Sequence, residues 1–224
     1  MDNGNLKRIT IFAGHYGSGK TNAAVNYALH IAAGGRRTAI ADLDIVNPYF
    51  RTKDSAEVLA QHGIRLISSP YANTNVDTPA LPAEAYAVID DSGLYSVIDV
   101  GGDDRGALAL GRYSEAIRKI GDYEMLFVIN RCRFLTSDAA STVEVMREIE
   151  QAAAIRFTGL VNNSNLGDET DADTVLRSVD YANEVSALTG LKIRMTTVKS
   201  DLAPSLEGKV EGLFPIDIYV RQSW

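Results

Sequence analysis

The stretch Gly14-His15-Tyr16-Gly17-Ser18-Gly19-Lys20-Thr21 contains the full pattern G-x-x-x-x-G-K-T. An apolar run of strand length precedes it at residues 9–12, and a stretch with helical spacing follows at residues 20–33. Glycines let the backbone curl so that its amide groups point at phosphate oxygens, and a helix start adds positive charge. A chance glycine turn is the alternative, but the strand-to-helix context favours a nucleotide-binding loop, called here the phosphate loop.

Apolar runs and helical stretches alternate along the rest of the chain. Further strands are predicted near residues 38–41, 65–67, 95–98, 125–129, 157–161 and 192–198. Such alternation favours a parallel sheet covered by helices, with ligands at the carboxyl ends of its strands. We predict an α/β fold, a doubly wound and mostly parallel sheet flanked by helices, in one P-loop nucleotide-binding domain over residues 1–224. Residues 68–82 are predicted to form a long surface loop.

Composition and charge restrict the class of protein. The 224 residues include 22 Lys and Arg against 29 Asp and Glu, a net charge of −7, and 46% hydrophobic residues. No apolar run approaches the ~20 residues of a membrane helix, and the acidic balance argues against nucleic-acid binding. Cys132, the single cysteine, excludes intrachain disulfides and cysteine-based metal sites within one chain. We therefore expect a cytoplasmic protein with no membrane or nucleic-acid partner.

The C-terminal stretch supports the expectation about membranes. Residues 212–220 contain Pro215 and an alternation of apolar side chains at Ile216, Ile218 and Val220. This pattern predicts an extended edge segment and not an amphipathic membrane helix.

Three aspartates come at the ends of predicted strands. Asp42 and Asp44 end the second strand, and Asp99 ends the fourth. Mg²⁺ bound to phosphates takes one or two carboxylates, so Asp99 is predicted to lie on the Mg²⁺ side, and Asp44 to position the attacking water or complete the metal shell. A turn cap is the alternative for each, and it is strongest for Asp42.

The predicted site residues fall into three groups. The catalytic pair is Lys20, which reaches the β- and γ-phosphates, and Asp44. The Mg²⁺ ligands are Thr21, Asp44 and Asp99. The nucleotide-contacting residues are Gly14, Gly17, Ser18, Gly19, Lys20, Thr21, Asn22, Gly102 and Asn163. Gly101 and Gly102 follow Asp99, where a backbone amide could contact the γ-phosphate and move after hydrolysis.

The phosphate loop, residues 41–48 and residues 98–103 resemble motifs of the MinD/ParA-like P-loop ATPases, a class that includes CobQ/CobB-type synthases. The resemblance implies ATP and Mg²⁺ as cofactors, with Asp44 as the switch I aspartate and Asp99 as the switch II aspartate. Residues 159–163 resemble the segment whose terminal Asn contacts adenine, which favours Asn163 over Asn162; a turn is the alternative. The base-recognition signal of GTPases is absent, so ATP is favoured over GTP.

One position departs from that family. Its signature lysine, which reaches a partner's phosphates across a dimer, is replaced by His15, a weaker cation at neutral pH. This leaves a homodimer as an open alternative. Arg51 could supply a cation instead, or lie on the surface as a solvated side chain.

Three functions are consistent with these motifs. The first is an ATPase that acts as a nucleotide-gated switch on a protein partner, and it is the one we favour. The second is an ATP-dependent small-molecule kinase or amide-forming synthase, in which residues 68–82 or 167–170 would hold the substrate. No acid–base constellation outside the phosphate site supports it. The third is a nucleotide-binding scaffold without turnover.

Overall fold

One eight-stranded sheet organises the protein. The computed structural model describes residues 6–43, 55–68, 88–102 and 104–220. The strands lie in the order β3-β2-β4-β1-β5-β6-β7-β8, and each neighbouring pair is parallel. Their bounds are β1 (Ile9–Ala13), β2 (Thr38–Leu43), β3 (Arg65–Ser68), β4 (Tyr95–Val100), β5 (Tyr123–Ile129), β6 (Gly159–Asn162), β7 (Ile193–Lys199) and β8 (Leu213–Ile216). The predicted α/β fold with a parallel sheet is confirmed.

Helices connect and cover the strands. In chain order they are α1 (Lys20–Ala33), α2 (Ala56–Gln61), α3 (Asp104–Gly111), α4 (Ser114–Ile120), α5 (Ala139–Ala153), α6 (Ala172–Thr189) and α7 (Ala203–Leu206). The sequence patterns indicated no helix between β4 and β5, where α3 and α4 lie. None of the described helices is long and apolar enough to cross a membrane.

Both faces of the sheet are buried, which explains its continuous apolar strands. Side chains alternate along β1: Ile9 and Ile11 pack in the core on the side of α3 to α6, whereas Phe12 packs with α1. β1 lies between β4 and β5 in the interior of the sheet. Its carboxyl end is therefore near the middle of the edge that the carboxyl ends of the strands form. The phosphate loop therefore begins where a doubly wound fold places its ligand crevice.

The edge strand β8 confirms the extended conformation predicted for the C-terminal stretch. It pairs in parallel with β7, with Thr197 opposite Phe214 and Lys199 opposite Ile216. Residues 217–220 continue from β8 towards the start of α1, where Asn22 bonds Val220. The C-terminal stretch thus returns to the beginning of the fold.

The start of α6 differs from the one that the local sequence suggests. Thr170 and Asp173 have capping-box-like spacing, but the N-cap is Asp171, whose extended backbone lets its carboxylate accept from Thr174 N at 2.7 Å. Thr170 instead donates its hydroxyl to Gly167 O at 2.7 Å. The spacing rule was therefore wrong by one residue, because Asp171 satisfies the helix start and Thr170 closes the preceding turn.

Candidate functional site

The phosphate loop curls between β1 and α1. Gly17 and Gly19 have φ angles of 76° and 81°, in the left-handed region that side-chain-bearing residues rarely adopt. Ser18 N donates to His15 O at 3.1 Å and closes the turn between them. The two glycines are thus required by the path of the chain, as the motif predicted.

Helix α1 begins without a side-chain cap. Its N-cap is Gly19, no side chain bonds its first amides, and its first turn contains no acidic residue. The first amides of a helix have no carbonyl partner within the helix, and they carry the positive end of its dipole. Lys20, only 6% exposed, adds a cation at the same point. This helix start has the donors and the charge that a phosphate group requires.

The Ser18 hydroxyl offers a direct test of whether a ligand fits here. Ser18 is 1% exposed, and its Oγ has no hydrogen-bond partner among the residues that the structure describes. A buried hydroxyl without a hydrogen-bond partner lowers the stability of the folded state unless a ligand or a water molecule bonds to it. The loop therefore fits an oxygen-rich ligand such as a phosphate.

The structure brings Gly102 against the phosphate loop. A Cβ added at Gly102 would lie 2.7 Å from both Lys20 Nζ and Tyr16 Cα, so the backbone after β4 approaches as closely as glycine allows. Gly102 therefore lies beside Lys20, and its predicted contact with a γ-phosphate stays a prediction. A movement of the segment after β4 would change the space beside the lysine.

Two of the predicted strand-end aspartates lie side by side. Asp42 on β2 is the register partner of Asp99 on β4, and Asp99 is in turn opposite Phe12 on β1. Both aspartates are buried, with exposed fractions of 5% and 1%. The predicted roles of Asp44 and Arg51 concern residues outside the described part of the chain.

The structure describes two of the side chains predicted to bind Mg²⁺, Thr21 and Asp99. Within residues 6–43, 55–68, 88–102 and 104–220, no group of three or more His, Cys, Asp or Glu side chains could hold a metal ion. Thr21 lines a cavity beside the phosphate loop, and Asp99 is a buried carboxylate. Both residues supply hard oxygens suited to Mg²⁺. This donor set fits Mg²⁺ that is bound together with phosphates.

Asn163 lies directly on the phosphate loop. Its Nδ2 donates to Ser18 O at 2.6 Å, and its Oδ1 accepts from the Thr197 hydroxyl. Asn162 instead lies in the core, where its Nδ2 donates to Ser178 Oγ at 2.8 Å. Of the two asparagines weighed from the sequence, Asn163 is the one that lines the cavity. Its amide holds the loop to β7.

Asn22 also lines the cavity, but its side chain is occupied by the chain itself. Its Oδ1 accepts from Tyr219 N at 3.0 Å and Val220 N at 2.9 Å, and its Nδ2 donates to Val220 O at 2.8 Å. The residue predicted to contact nucleotide thus holds the segment that follows β8.

Arg133 is a residue of the site that the motifs did not indicate. It lies in the loop after β5, and its Nε donates to Gly17 O at 2.8 Å. Burial lowers the pKa of its guanidinium. Its neighbour Arg131 instead donates to Arg177 O at 2.7 Å. Two arginines just after a strand end were the only signal in the sequence, and they do not show which one reaches the loop.

His15, at the position of the signature lysine, turns towards its own backbone. Its Nδ1 donates to Tyr16 O at 2.8 Å, which requires the proton on that nitrogen. The Tyr16 side chain is 51% exposed beside it. The histidine thus contributes to the conformation of the loop.

A cavity of about 190 Å³ extends from the phosphate loop to the segment after β8. Polar groups line it near the loop, among them Thr21, Asn163 and Thr197. Asp168 and Lys199, which form an ion pair at 3.2 Å, lie on another wall. The cavity is thus lined by residues of the phosphate loop, by this ion pair and by apolar residues such as Val175 and Ile218.

Comparisons with known proteins indicate the fold but no family. No model of a protein family matches the sequence, and no curated protein matches it. Among solved structures, FtsY from Mycoplasma mycoides matches with a TM-score of 0.53 at 18% identity, over 87% of this chain and 61% of that one. Chloroplast FtsY from Physcomitrella patens matches with a TM-score of 0.55 at 18% identity, over 84% and 57%.

A third match is the signal recognition particle 54 kDa protein of Aeropyrum pernix K1, solved in complex with GDP. Its TM-score is 0.58 at 17% identity, over 88% of this chain and 42% of that one. The chain therefore spans between about two fifths and three fifths of these proteins. The likeness supports the P-loop NTPase fold. It does not extend to the MinD/ParA or CobQ/CobB relationship that the motifs suggested.

Proposed function

We propose that this chain is a Mg²⁺-dependent ATPase of the MinD/ParA-like kind, a single nucleotide-binding domain that acts as a nucleotide-gated switch on a protein partner. The observation that carries the proposal is the uncapped start of α1, where left-handed Gly17 and Gly19 lead into buried Lys20. Fixed backbone donors and a cation at one helix start are suited to bind a polyphosphate. The cavity beside them leaves room for the nucleoside.

Each predicted residue has a defined task in this proposal. Lys20 neutralises the β- and γ-phosphates, and the glycine backbone of the phosphate loop encloses them. Thr21 and Asp99 hold Mg²⁺, with Asp44 near the attacking water. When bound, Mg²⁺ neutralises charge on the phosphates and stabilises the leaving group. Arg133 supports the loop through Gly17 O.

The contact at Gly102 supports a switch. Because a Cβ added at Gly102 would clash with Tyr16 and with Lys20 Nζ, little space separates this backbone from the phosphate loop. A γ-phosphate bound by that lysine would compete for the same space or accept a bond from the Gly102 amide. Either interaction favours one position of the segment that leads into α3. A partner protein that binds this segment in only one of its positions would distinguish the triphosphate-bound state from the diphosphate-bound state.

GTP is the alternative to ATP as the bound nucleotide. ATP follows from the absence of a GTPase base-recognition motif, whereas two observations favour GTP. Asp168 lines the cavity, and its carboxylate could accept from the ring N–H and amino group of guanine. The Aeropyrum pernix structure contains GDP. The proposal is ATP, and a direct comparison with GTP decides between them.

The deciding experiment measures the binding and hydrolysis of ATP and GTP with and without Mg²⁺. We expect tighter binding of ATP, slow hydrolysis that needs Mg²⁺, and at least ~100-fold weaker binding by Lys20→Ala, which loses a charge-assisted contact to phosphate. Lys119→Ala is the control, since Lys119 pairs with exposed Glu115 on α4.

The possible results separate the candidate functions. Wild-type affinity in Lys20→Ala would overturn the phosphate-loop interpretation. Preferential binding of GTP would replace ATP, and tight binding without turnover would assign a scaffold. Hydrolysis that rises on addition of a protein partner would support the switch.

A further inference from the structure

The segment that follows β8 is bonded to α1 by two asparagines. Besides the three bonds of Asn22 to Tyr219 and Val220, Asn26 Oδ1 accepts from Asp217 N at 2.9 Å and Asn26 Nδ2 donates to Asp217 O at 2.8 Å. Asn22 and Asn26 are four residues apart, so they lie on the same face of the helix. Their amides take the place of a neighbouring strand and satisfy the segment's backbone.

The side chains of that segment alternate. The backbone groups of Asp217, Tyr219 and Val220 bond to α1, while Ile218, Val220 and Ile216, the last residue of β8, line the cavity. A period of two is expected of an extended chain. One face of the segment thus contacts the helix, and apolar side chains contact the cavity.

These apolar side chains line the same cavity as the phosphate loop. Val175 and Val198 also line the cavity, so five aliphatic residues contribute to its lining together with polar ones. A polyphosphate would gain nothing from aliphatic contacts, whereas the flat ring and ribose of a nucleoside bury apolar surface there. The chemistry of this wall therefore suits the nucleoside part of the ligand.

We propose that residues 216–220 form a wall of the nucleoside compartment and that Asn22 and Asn26 are positioning residues that hold this wall in place. The inference rests on the proposed function and assigns the Asn22 side chain to the protein's own backbone, in place of the predicted contact with nucleotide. A chain without these bonds binds the phosphate part of the ligand as before but loses contacts to the nucleoside.

Asn22→Ala tests the proposal with two probes, ATP and inorganic tripolyphosphate, each with Mg²⁺. We expect ATP binding to weaken about tenfold, because the wall is no longer fixed before binding. Tripolyphosphate binding should change by less than about twofold, because the backbone donors of the phosphate loop remain. Amide exchange at Tyr219 and Val220 should become faster in this variant.

A second variant leaves both asparagines in place. Ile218 is 41% exposed, so Ile218→Ser is expected to fold and to weaken ATP binding about threefold through lost apolar contact, again without an effect on tripolyphosphate. Asn183→Ala, at an exposed position of α6, is the matched control and should bind both probes like the wild type.

Two results would overturn the inference alone: wild-type ATP affinity in both Asn22→Ala and Ile218→Ser, or an equal loss of ATP and tripolyphosphate binding in Asn22→Ala. A wild-type chain that binds neither probe would overturn the proposed function and this inference with it.

Discussion

Helices α1 and α6 begin at the same edge of the sheet in opposite ways. At α6, the Asp171 carboxylate accepts from Thr174 N at 2.7 Å and from the Thr174 hydroxyl at 2.6 Å. At α1, Gly19 has no side chain to offer and Lys20 follows it. One helix start is satisfied by its own sequence, and the other requires an anion from outside.

The difference separates stability from binding. A capped start contributes to the folded state alone, because its donors are already bonded. An uncapped start with a buried lysine costs stability until a ligand arrives. Substitutions at the start of α1 should therefore reduce nucleotide affinity, whereas substitutions at the start of α6 should reduce thermal stability.

Gly19→Ala should reduce nucleotide affinity by at least ~100-fold. An added Cβ would overlap Asn163 Nδ2, and the φ angle of 81° costs a non-glycine residue about 1–2 kcal/mol. Both effects displace the donors that face the phosphates. Calorimetric titration with Mg-ATP measures the loss.

Gly35→Ala is the control for backbone strain. Gly35 has a φ angle of 76°, but an added Cβ would meet no described atom within 4 Å. This variant should unfold at a lower temperature and keep its nucleotide affinity. An equal loss of affinity in both variants would show that the Asn163 contact is not the cause.

Arg133→Ala should weaken nucleotide binding about tenfold, because Gly17 O loses the guanidinium that fixes it. Arg131→Ala removes a similar charge from the same loop but only frees Arg177 O, so its affinity should stay near that of the wild type. Comparable nucleotide affinities of the two variants would show that Arg133 does not contribute to nucleotide binding.

Asp171→Ala should lower the midpoint of thermal unfolding by about 2–4 °C and leave nucleotide affinity unchanged. Reduced affinity in this variant would contradict the division between a structural helix start and a binding one.

The same cap predicts a dependence on pH. Hydrogen bonds from the Thr174 hydroxyl and amide hold the pKa of Asp171 below its ordinary value of 3.8. A lowered pKa means that the cap contributes fully above pH 3.8 and that its contribution is lost as the pH falls through the folded-state pKa. The difference in unfolding temperature between wild type and Asp171→Ala should therefore disappear in strong acid.

The sequence was sufficient for features that depend on local patterns. The G-x-x-x-x-G-K-T pattern, the alternating strands and the extended stretch around Ile216 are each encoded within a few neighbouring residues, and the structure confirms the predicted fold. Asn163 lines the cavity because a residue just past a strand end lies at the sheet edge, whereas its contact with adenine stays a prediction.

Other features depend on residues that are distant in the chain. Asn22 follows the phosphate-loop motif directly, which suggested nucleotide contact, yet its partner Val220 lies 198 residues away. Arg133 reaches Gly17 across 116 residues, and no local pattern distinguishes it from Arg131. Hydrogen bonds of this kind arise from the packed fold and leave no periodic signal in the sequence.

The two asparagines of α1 have a consequence for synthesis of the chain. Asn26 is buried, with 9% exposure. Two of its hydrogen bonds can form only after Asp217, 191 residues later in the chain, has been synthesised. At typical translation rates that interval is about 10–40 s, during which α1 exists without these partners. The phosphate loop is thus made before the wall beside it can assemble. A nascent chain has the anion-binding half of the cavity well before it has the other half.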